Sequence, residues 1–192
     1  MKRGLLERLE DGGVLCAEGY LFELERRGYL QAGSFVPEVV LDHPEALLQL
    51  HKEFLHAGSD VAVAFTYNGH REKMRIMDKE GLLEPLNRHA LRLAREAARA
   101  CEPEEALVAG NISNTNVYDH TDPATQNEVR AMFEEMAGWA VDEGVDFIIA
   151  ETMYYHGEAE LALAAIKEAK IPAVVTLSLF AEGVMRDGMS VE

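Results

Sequence analysis

The stretch DEGVDFIIAE, residues 142–151, decides the fold class of this chain. A glycine ends a helix-like segment, an acidic residue follows, and apolar residues then run without alternation up to Glu151. Short apolar runs bounded by turn residues are typical of parallel strands that helices cover on both faces. The stretch AGSDVAVAF, residues 57–65, repeats the same order of glycine, acidic residue and buried strand.

The same strand-like pattern recurs along the chain and alternates with helical patterns. The predicted strands are residues 14–17, 61–65, 106–112, 146–150 and 173–177. Apolar residues at helical spacing occur between these strands. Two of the predicted helices begin at a polar residue followed by proline, at Asp42-His43-Pro44 and Asp122-Pro123, and end at Gly58 and Gly144. Two further helices are predicted over residues 83–97 and 157–169. Residues 67–81 form either a charged loop or a short exposed helix.

Strands that alternate with helices predict a parallel α/β sheet with right-handed crossovers. Two architectures fit five strands: part of a (β/α)₈ TIM-type barrel, which usually needs about 250 residues, or a complete doubly wound sheet. The stretch FAEGVMRDGMSVE, residues 180–192, shows no helix that would cover the fifth strand. This favours a barrel truncated after about the fifth strand. No linker divides the chain, so residues 1–192 are predicted to form a single domain.

Composition limits the classes of partner. The 192 residues include 34 acidic and 18 basic side chains, a net charge of −16, which argues against nucleic acid and anionic membranes. No apolar stretch approaches the roughly 20 residues of a membrane span. Cys16 and Cys101 form neither a disulfide framework nor a Cys-x-x-Cys zinc pair, so a cytoplasmic protein with reduced thiols is expected.

Ligands of parallel sheets bind beyond the carboxyl ends of the strands. Glu151 emerges there after a buried run, where a carboxylate binds an ammonium group or acts as a base; the alternative is a capping or salt-bridging role. Glu18 follows the first predicted strand and either caps the next helix or contacts a substrate. Gly19 either allows close approach of a ligand or makes the turn.

A polar segment follows the third predicted strand, and three histidines lie after strand ends. The polar segment either orients a zwitterionic ligand or satisfies its own backbone; it contains Asn111, Ser113, Asn114, Thr115 and Asn116. His70, His120 and His156 show no metal-ligand spacing and are expected to be solvated, as lone loop histidines usually are. No residue of this chain is assigned a catalytic or metal-binding role.

Several stretches, in order along the chain, resemble the N-terminal part of the betaine–homocysteine S-methyltransferases, within the homocysteine S-methyltransferase family. They are GLLERLEDGGVL at 4–15, FELERRGYLQAG at 22–33, HPEALLQLHKEFLHAGSDV at 43–61, ALVAGNISNT at 106–115 and VDFIIAE at 145–151. The resemblance implies a (β/α)₈ barrel. It also implies methyl transfer to the homocysteine thiol, which zinc deprotonates. The family's zinc ligands are three cysteines in later strands, and Cys16 and Cys101 do not match them.

The resemblance also implies roles for individual residues. Glu151 matches the glutamate that contacts the homocysteine amino group. The family's Asp-Gly-Gly after the first strand, which helps hold homocysteine, corresponds to Ala17-Glu18-Gly19, so only Gly19 matches. On the methyl-donor side, Phe35 stands where the family has tryptophan. Asn68 stands where the family has tyrosine, with Tyr67 beside it, and such rings surround a trimethylammonium group.

The sequence therefore predicts a homocysteine S-methyltransferase-like protein whose zinc-binding half is missing from this chain. Its partners would be homocysteine and a betaine-like or sulfonium methyl donor, and its product methionine. The alternative is a non-catalytic or diverged module that binds an amino acid or a methylated amine. Part of a barrel leaves two open sheet edges, and a homo-oligomer is one way to cover them.

Overall fold

The computed structural model describes residues 2–31, 37–101 and 106–190. Within these residues, four strands form one parallel sheet: β1 (Val61–Val63), β2 (Leu107–Ser113), β3 (Phe147–Met153) and β4 (Ala173–Leu177). The α-helices are α1 (Leu5–Asp11), α2 (Tyr20–Arg26), α3 (Val39–Asp42), α4 (Pro44–His56), α5 (Arg71–Ile76), α6 (Leu83–Ala100), α7 (Pro123–Asp142) and α8 (His156–Glu168). Short 3₁₀ turns lie at Glu80–Leu82 and Ala181–Gly183.

The order of the strands distinguishes between the two predicted architectures. The sheet runs β1-β2-β3-β4, so every strand pairs in parallel with the next strand of the sequence. A doubly wound sheet reverses its strand order at a switch point, whereas a barrel adds each strand beside the preceding one. The described sheet is therefore a segment of barrel type, and the doubly wound alternative is wrong.

The first predicted strand, residues 14–17, is reduced to a single parallel bridge between Cys16 and Val61. The backbone N–H of Ala17 donates to the Val61 carbonyl over 3.2 Å, so this segment still lies beside β1. Leu15, however, is 65% exposed, and its N–H donates to the Asp60 side chain rather than to the backbone of a strand. The segment keeps the predicted position without becoming a regular strand.

Helix ends follow the sequence signals in most places. The Asp122 side chain caps α7 by accepting a 2.8 Å hydrogen bond from the Ala124 N–H, with Pro123 at the first turn. Helix α4 also begins at its proline, but its N-cap is His43, and no side chain caps it. The interval 67–81 contains α5, so the helical alternative for this segment is confirmed.

The core lies between the sheet and the helices packed on it. Phe133 of α7, Phe147 and Ile148 of β3, and Leu107 of β2 are fully buried. This core holds the carboxyl ends of β2 and β3 side by side, with Ser113 opposite Glu151 in the register. In the described part of the chain, no helix is both long and apolar enough to cross a membrane.

Candidate functional site

A cleft of about 250 Å³ opens at the carboxyl ends of the first three strands. Four of the six predicted site residues, Glu18, Gly19, Tyr67 and Glu151, line it together. The complete lining is Glu18, Gly19, Tyr20, Leu21, Phe22, Val63, Ala64, Phe65, Tyr67, Asn111, Glu151 and Thr152. Asn68 lies beside the cleft rather than in its wall, and Phe35 lies outside the described residues.

Glu151 is positioned by a side chain of the neighbouring strand. Asn111 pairs with Ile149 in the β2–β3 register, two residues before Glu151, so the side chains of Asn111 and Glu151 share one face of the sheet. The Asn111 Nδ2 donates a hydrogen bond to Glu151 Oε2 over 2.5 Å. Glu151 makes no salt bridge among the described residues, so its charge is available to a ligand in the cleft.

Glu18 projects its carboxyl into the same cleft. Burial of the carboxyl group, and then the negative charge of Glu151, raise the pKa of Glu18 to about 7. The N-cap of α2 is Gly19, in a left-handed conformation with φ of 83°, and no side chain caps this helix. Ala17 is buried in the core. The structure thus directs Glu18 toward the cleft, and its predicted alternative as a helix cap is not observed.

Aromatic side chains form the apolar wall. Burial, followed by the charges of Tyr154 and Glu151, raises the pKa of Tyr67, so its hydroxyl stays protonated at neutral pH. Phe65 is buried, whereas Phe22 is 70% exposed at the rim. Tyr20 is buried and hydrogen-bonded through its hydroxyl to His51 Nδ1 over 2.9 Å. The cleft therefore combines carboxylates with aromatic surface.

The backbone beside Glu151 is strained. Thr152 has a φ of 60°, a left-handed conformation that is rare for β-branched residues. It lies where the β3–β4 register shifts between Ala150 and Met153, which marks a bulge. Asn68 also has a left-handed φ, of 62°, and its N–H donates to Ser113 Oγ, next to Glu151 in the register. Bulges and strained residues often occur beside active sites, where they redirect side chains.

The polar segment at the end of β2 and just after it contacts the cleft and the neighbouring elements, and its ligand-orienting role stays a prediction. Asn111 lines the cleft, whereas the N–H and hydroxyl of Thr115 both donate to buried Glu158 over 2.7 Å. The Asn114 Nδ2 donates to the Thr152 carbonyl. His70 was expected to be solvated, which is wrong: it is buried, caps α5 through Nδ1, and burial lowers its pKa to about 4.

Residues 2–31, 37–101 and 106–190 contain no group of three or more His, Cys, Asp or Glu side chains that could hold a metal ion. Cys16 is half-buried, and burial, with the charges of Glu18 and Asp60, raises the pKa of its thiol. Cys101 is buried elsewhere in the core. The described residues do not fit a thiolate-bound zinc centre.

Comparison with protein families gives one match over most of the chain. The model described as homocysteine S-methyltransferase matches residues 17–192. Among curated proteins, the S-methylmethionine–homocysteine S-methyltransferase of Pongo abelii is 42% identical over 188 residues, covering 97% of this chain and 49% of that protein. Betaine–homocysteine S-methyltransferase 1 of Bos taurus is 36% identical over 188 residues, covering 95% of this chain and 45% of that protein. This chain therefore spans about half the length of these relatives.

Solved structures agree on the fold. The metallated form of the Escherichia coli homocysteine methyltransferase MmuM superposes with a TM-score of 0.82 at 22% identity, covering 97% of this chain and 70% of that one. The oxidized form gives a TM-score of 0.80 at 20% identity, covering 95% and 68%. At such identities the likeness shows the architecture, and it matches the sequential strand order described above.

Proposed function

The chain belongs to the homocysteine S-methyltransferase family, and we propose that its cleft binds homocysteine for methyl transfer to the thiol, giving methionine. The observation that carries this proposal is the carboxylate of Glu151, held by Asn111 at the carboxyl end of β3. A carboxylate at that position attracts the ammonium group of an amino acid and fixes its orientation.

We propose a betaine-like or sulfonium compound as methyl donor. Two relatives carry names that include betaine and S-methylmethionine, and both compounds bear an onium group. The rings of Tyr67, Phe65 and Phe22 line the cleft, and such rings attract onium groups through the negative faces of their π systems. The aromatic wall therefore suits the donor, while the carboxylates suit the ammonium of homocysteine.

Zinc, which the family resemblance implies, finds no ligand set in the described residues. We therefore assign no step in this chain to zinc. The contribution proposed for the described residues is to bind and orient homocysteine and the donor. We further propose a cytoplasmic location, in keeping with two unpaired cysteines, and no nucleic-acid partner, in keeping with the net charge of −16.

Isothermal titration of L-homocysteine against the chain and its Glu151→Gln variant tests the proposal. The variant loses the charge but keeps the shape, so binding should weaken by about tenfold or more. Glu128→Gln, which changes an exposed glutamate on α7, is the matched control and should leave the affinity unchanged. Equal affinity of the chain and its Glu151→Gln variant for homocysteine would contradict the proposed role of the cleft.

Methionine formation then separates catalysis from binding alone. We expect methionine from homocysteine and S-methylmethionine or betaine only in a protein that also supplies the zinc ligands, because the described residues hold no group that activates the thiol. Homocysteine binding without any methionine in a protein that does supply them would favour the alternative of an amino-acid-binding module.

A further inference from the structure

One carboxylate of the cleft has no partner in the described part of the chain. Glu151 accepts a hydrogen bond from Asn111, whereas Glu18 makes neither an ion pair nor a side-chain hydrogen bond there. No lysine, arginine or histidine is among the described residues that line the cleft. Glu18 therefore adds a negative charge that no basic side chain of the cleft offsets. The family resemblance places glycine at this position, so this charge is a feature of the present chain.

The proposed function uses only one of the two carboxylates for homocysteine. If Glu151 takes the ammonium group of homocysteine, Glu18 remains as a charge that faces the second ligand, the methyl donor. The cleft holds only about 250 Å³, so a donor inside it lies within about one Debye length, roughly 8 Å, of the Glu18 carboxylate. Salt does not cancel a charge over so short a distance, and apolar walls strengthen it by lowering the local dielectric constant.

We propose that Glu18 makes the cleft select methyl donors of net positive charge and disfavour donors that carry a carboxylate without a second cation. An onium group is attracted both by this carboxylate and by the aromatic wall formed by Tyr67, Phe65 and Phe22. Betaine brings a carboxylate of its own, which Glu18 repels. A sulfonium donor that also bears an ammonium group keeps a net positive charge. The inference rests on the proposed function and narrows its class of donor.

The backbone on both sides of Glu18 is anchored. Ala17 is buried, and its N–H donates to the Val61 carbonyl of β1. Gly19 begins α2, and Tyr20 is buried and hydrogen-bonded to His51. The segment therefore keeps the Glu18 carboxyl in the cleft wall. Because Glu18 itself has no hydrogen-bond partner among the described residues, replacing its side chain should change the charge of the cleft and leave this segment in place.

The test titrates the protein with choline and with betaine at pH 8 and follows binding by NMR. Both probes carry the same trimethylammonium group, and betaine has a carboxylate where choline has a hydroxyl. The unmodified chain should bind choline more tightly than betaine. Glu18→Gln should lower the ratio of the two affinities by about threefold or more, the effect of one unit charge at about 7 Å even in water. Glu18→Asp keeps the charge and should keep the preference.

A pH series adds a readout that a purely structural role of Glu18 would not change. Neither probe changes its charge between pH 6 and 8, whereas the Glu18 carboxyl, with a pKa of about 7, ionises over this range. The ratio should therefore rise by about threefold with pH in the unmodified chain and stay constant in Glu18→Gln. The other titratable groups around Glu18 are Glu151, Cys16, Tyr20 and Tyr67. Raised pKa values keep the thiol and both phenol hydroxyls neutral here.

Glu128→Gln, at an exposed position on α7, is the matched control, because it removes one acidic charge outside the cleft. It should leave the ratio and its pH dependence unchanged. A ratio that Glu18→Gln does not lower, or that Glu128→Gln lowers equally, would overturn the inference. Failure of choline to bind would also overturn it, because the cleft would then accept no onium group. Glu18→Gly replaces the glutamine variant if that variant does not fold.

Homocysteine separates this inference from the proposed function. If the ratio of choline to betaine affinity depends on Glu18 and homocysteine does not bind, the charge selection by Glu18 stands and the proposed substrate is wrong. If homocysteine binds and depends on Glu151 while the ratio is the same in the unmodified chain and in Glu18→Gln, the charge selection is wrong and the proposed function stands.

Discussion

Glu18 brings its carboxyl against the charge of Glu151, and this links the stability of the fold to pH. Its pKa is about 7 in the folded chain, above the ordinary value of 4.5. The folded state therefore holds a proton more firmly than the unfolded state between these values. Stability should fall as pH rises from about 4.5 to 7, and the whole penalty should persist above pH 7.

Glu18→Gln should therefore stabilise the chain at pH 8 and leave its stability nearly unchanged at pH 4. A shift of this size corresponds to about 3 kcal/mol, but more than a third of Glu18 stays in contact with solvent although its carboxyl is partly desolvated, and screening reduces the expected gain to about 1 kcal/mol. Urea unfolding at both pH values measures it. Glu10→Gln, on the exposed face of α1, is the control. A gain of the same size at both pH values would contradict the explanation.

Single residues of the site differ in how far the sequence could predict them. The positions of Glu151 and Glu18 beside the cleft were predicted, because a residue that follows a buried apolar run lies at the carboxyl end of a strand. Asn111 was predicted only as part of a polar segment; its contact with Glu151 could not be predicted, since it depends on the register between two residues 40 positions apart in the sequence. His70 was misjudged because burial of a loop depends on what packs over it, which a lone histidine does not reveal.

At the scale of elements, the bulge in β3 places a left-handed Thr152 directly after Glu151. Glycine normally weakens a strand relative to alanine, because it loses more conformational freedom on folding. At a φ of 60° glycine should be the more stable of the two, since the left-handed conformation costs an alanine residue roughly 1–2 kcal/mol of folding free energy.

Thr152→Gly should thus be more stable than Thr152→Ala by about 1 kcal/mol, as measured by chemical denaturation. Ala109→Gly, within the regular strand β2, is the control: there the glycine variant should be less stable than the unmodified protein with its alanine. If alanine is the better replacement at position 152, the strained bulge is absent in solution.

Helix α8 is capped from a distance. Asp187 Oδ2 accepts hydrogen bonds from the N–H groups of His156 and Gly157, over 2.7 and 3.4 Å, at the start of the helix. The segment after β4 is therefore tied to the helix that follows β3. The sequence pattern predicts no helix in residues 180–192. It could not predict this cap, because the capping residue lies 31 positions from the helix start.

Asp187→Ala should cost about 1 kcal/mol, as the loss of other helix caps does. Amide hydrogen exchange should accelerate at His156 and Gly157 in particular. Asp42→Ala is a suitable control, because Asp42 precedes α4 without capping it. Unchanged exchange at the start of α8 would show that the segment is not docked there.

At the scale of the whole molecule, the described sheet has an open edge at β4, whereas the segment 14–17 lies along β1. The strand positions were predicted well because buried parallel strands carry continuous apolar runs, and only the segment 14–17 failed to extend beyond one bridge. The strand order, which identifies the barrel type, was left open because apolar patterning does not record which strands are neighbours. At β4, Leu177 is 42% exposed, and Leu179 and Phe180 follow with similar exposure.

An exposed apolar strand edge promotes association between chains. We therefore expect the 192-residue chain to self-associate with increasing concentration in sedimentation velocity experiments, and Leu177→Lys to reduce this association. Leu163→Lys, at a similarly exposed position on α8, is the control and should have a smaller effect. Equal behaviour of the two variants would indicate that the β4 edge is not the contact.

The central claim is that the carboxyl-end cleft receives the ammonium group of an amino acid. A crystal structure of the protein with L-homocysteine tests it most directly. The account predicts the amino nitrogen within about 3 Å of the Glu151 carboxylate. Homocysteine bound in this cleft with its amino group turned away from Glu151, or bound elsewhere on the molecule, would contradict the account.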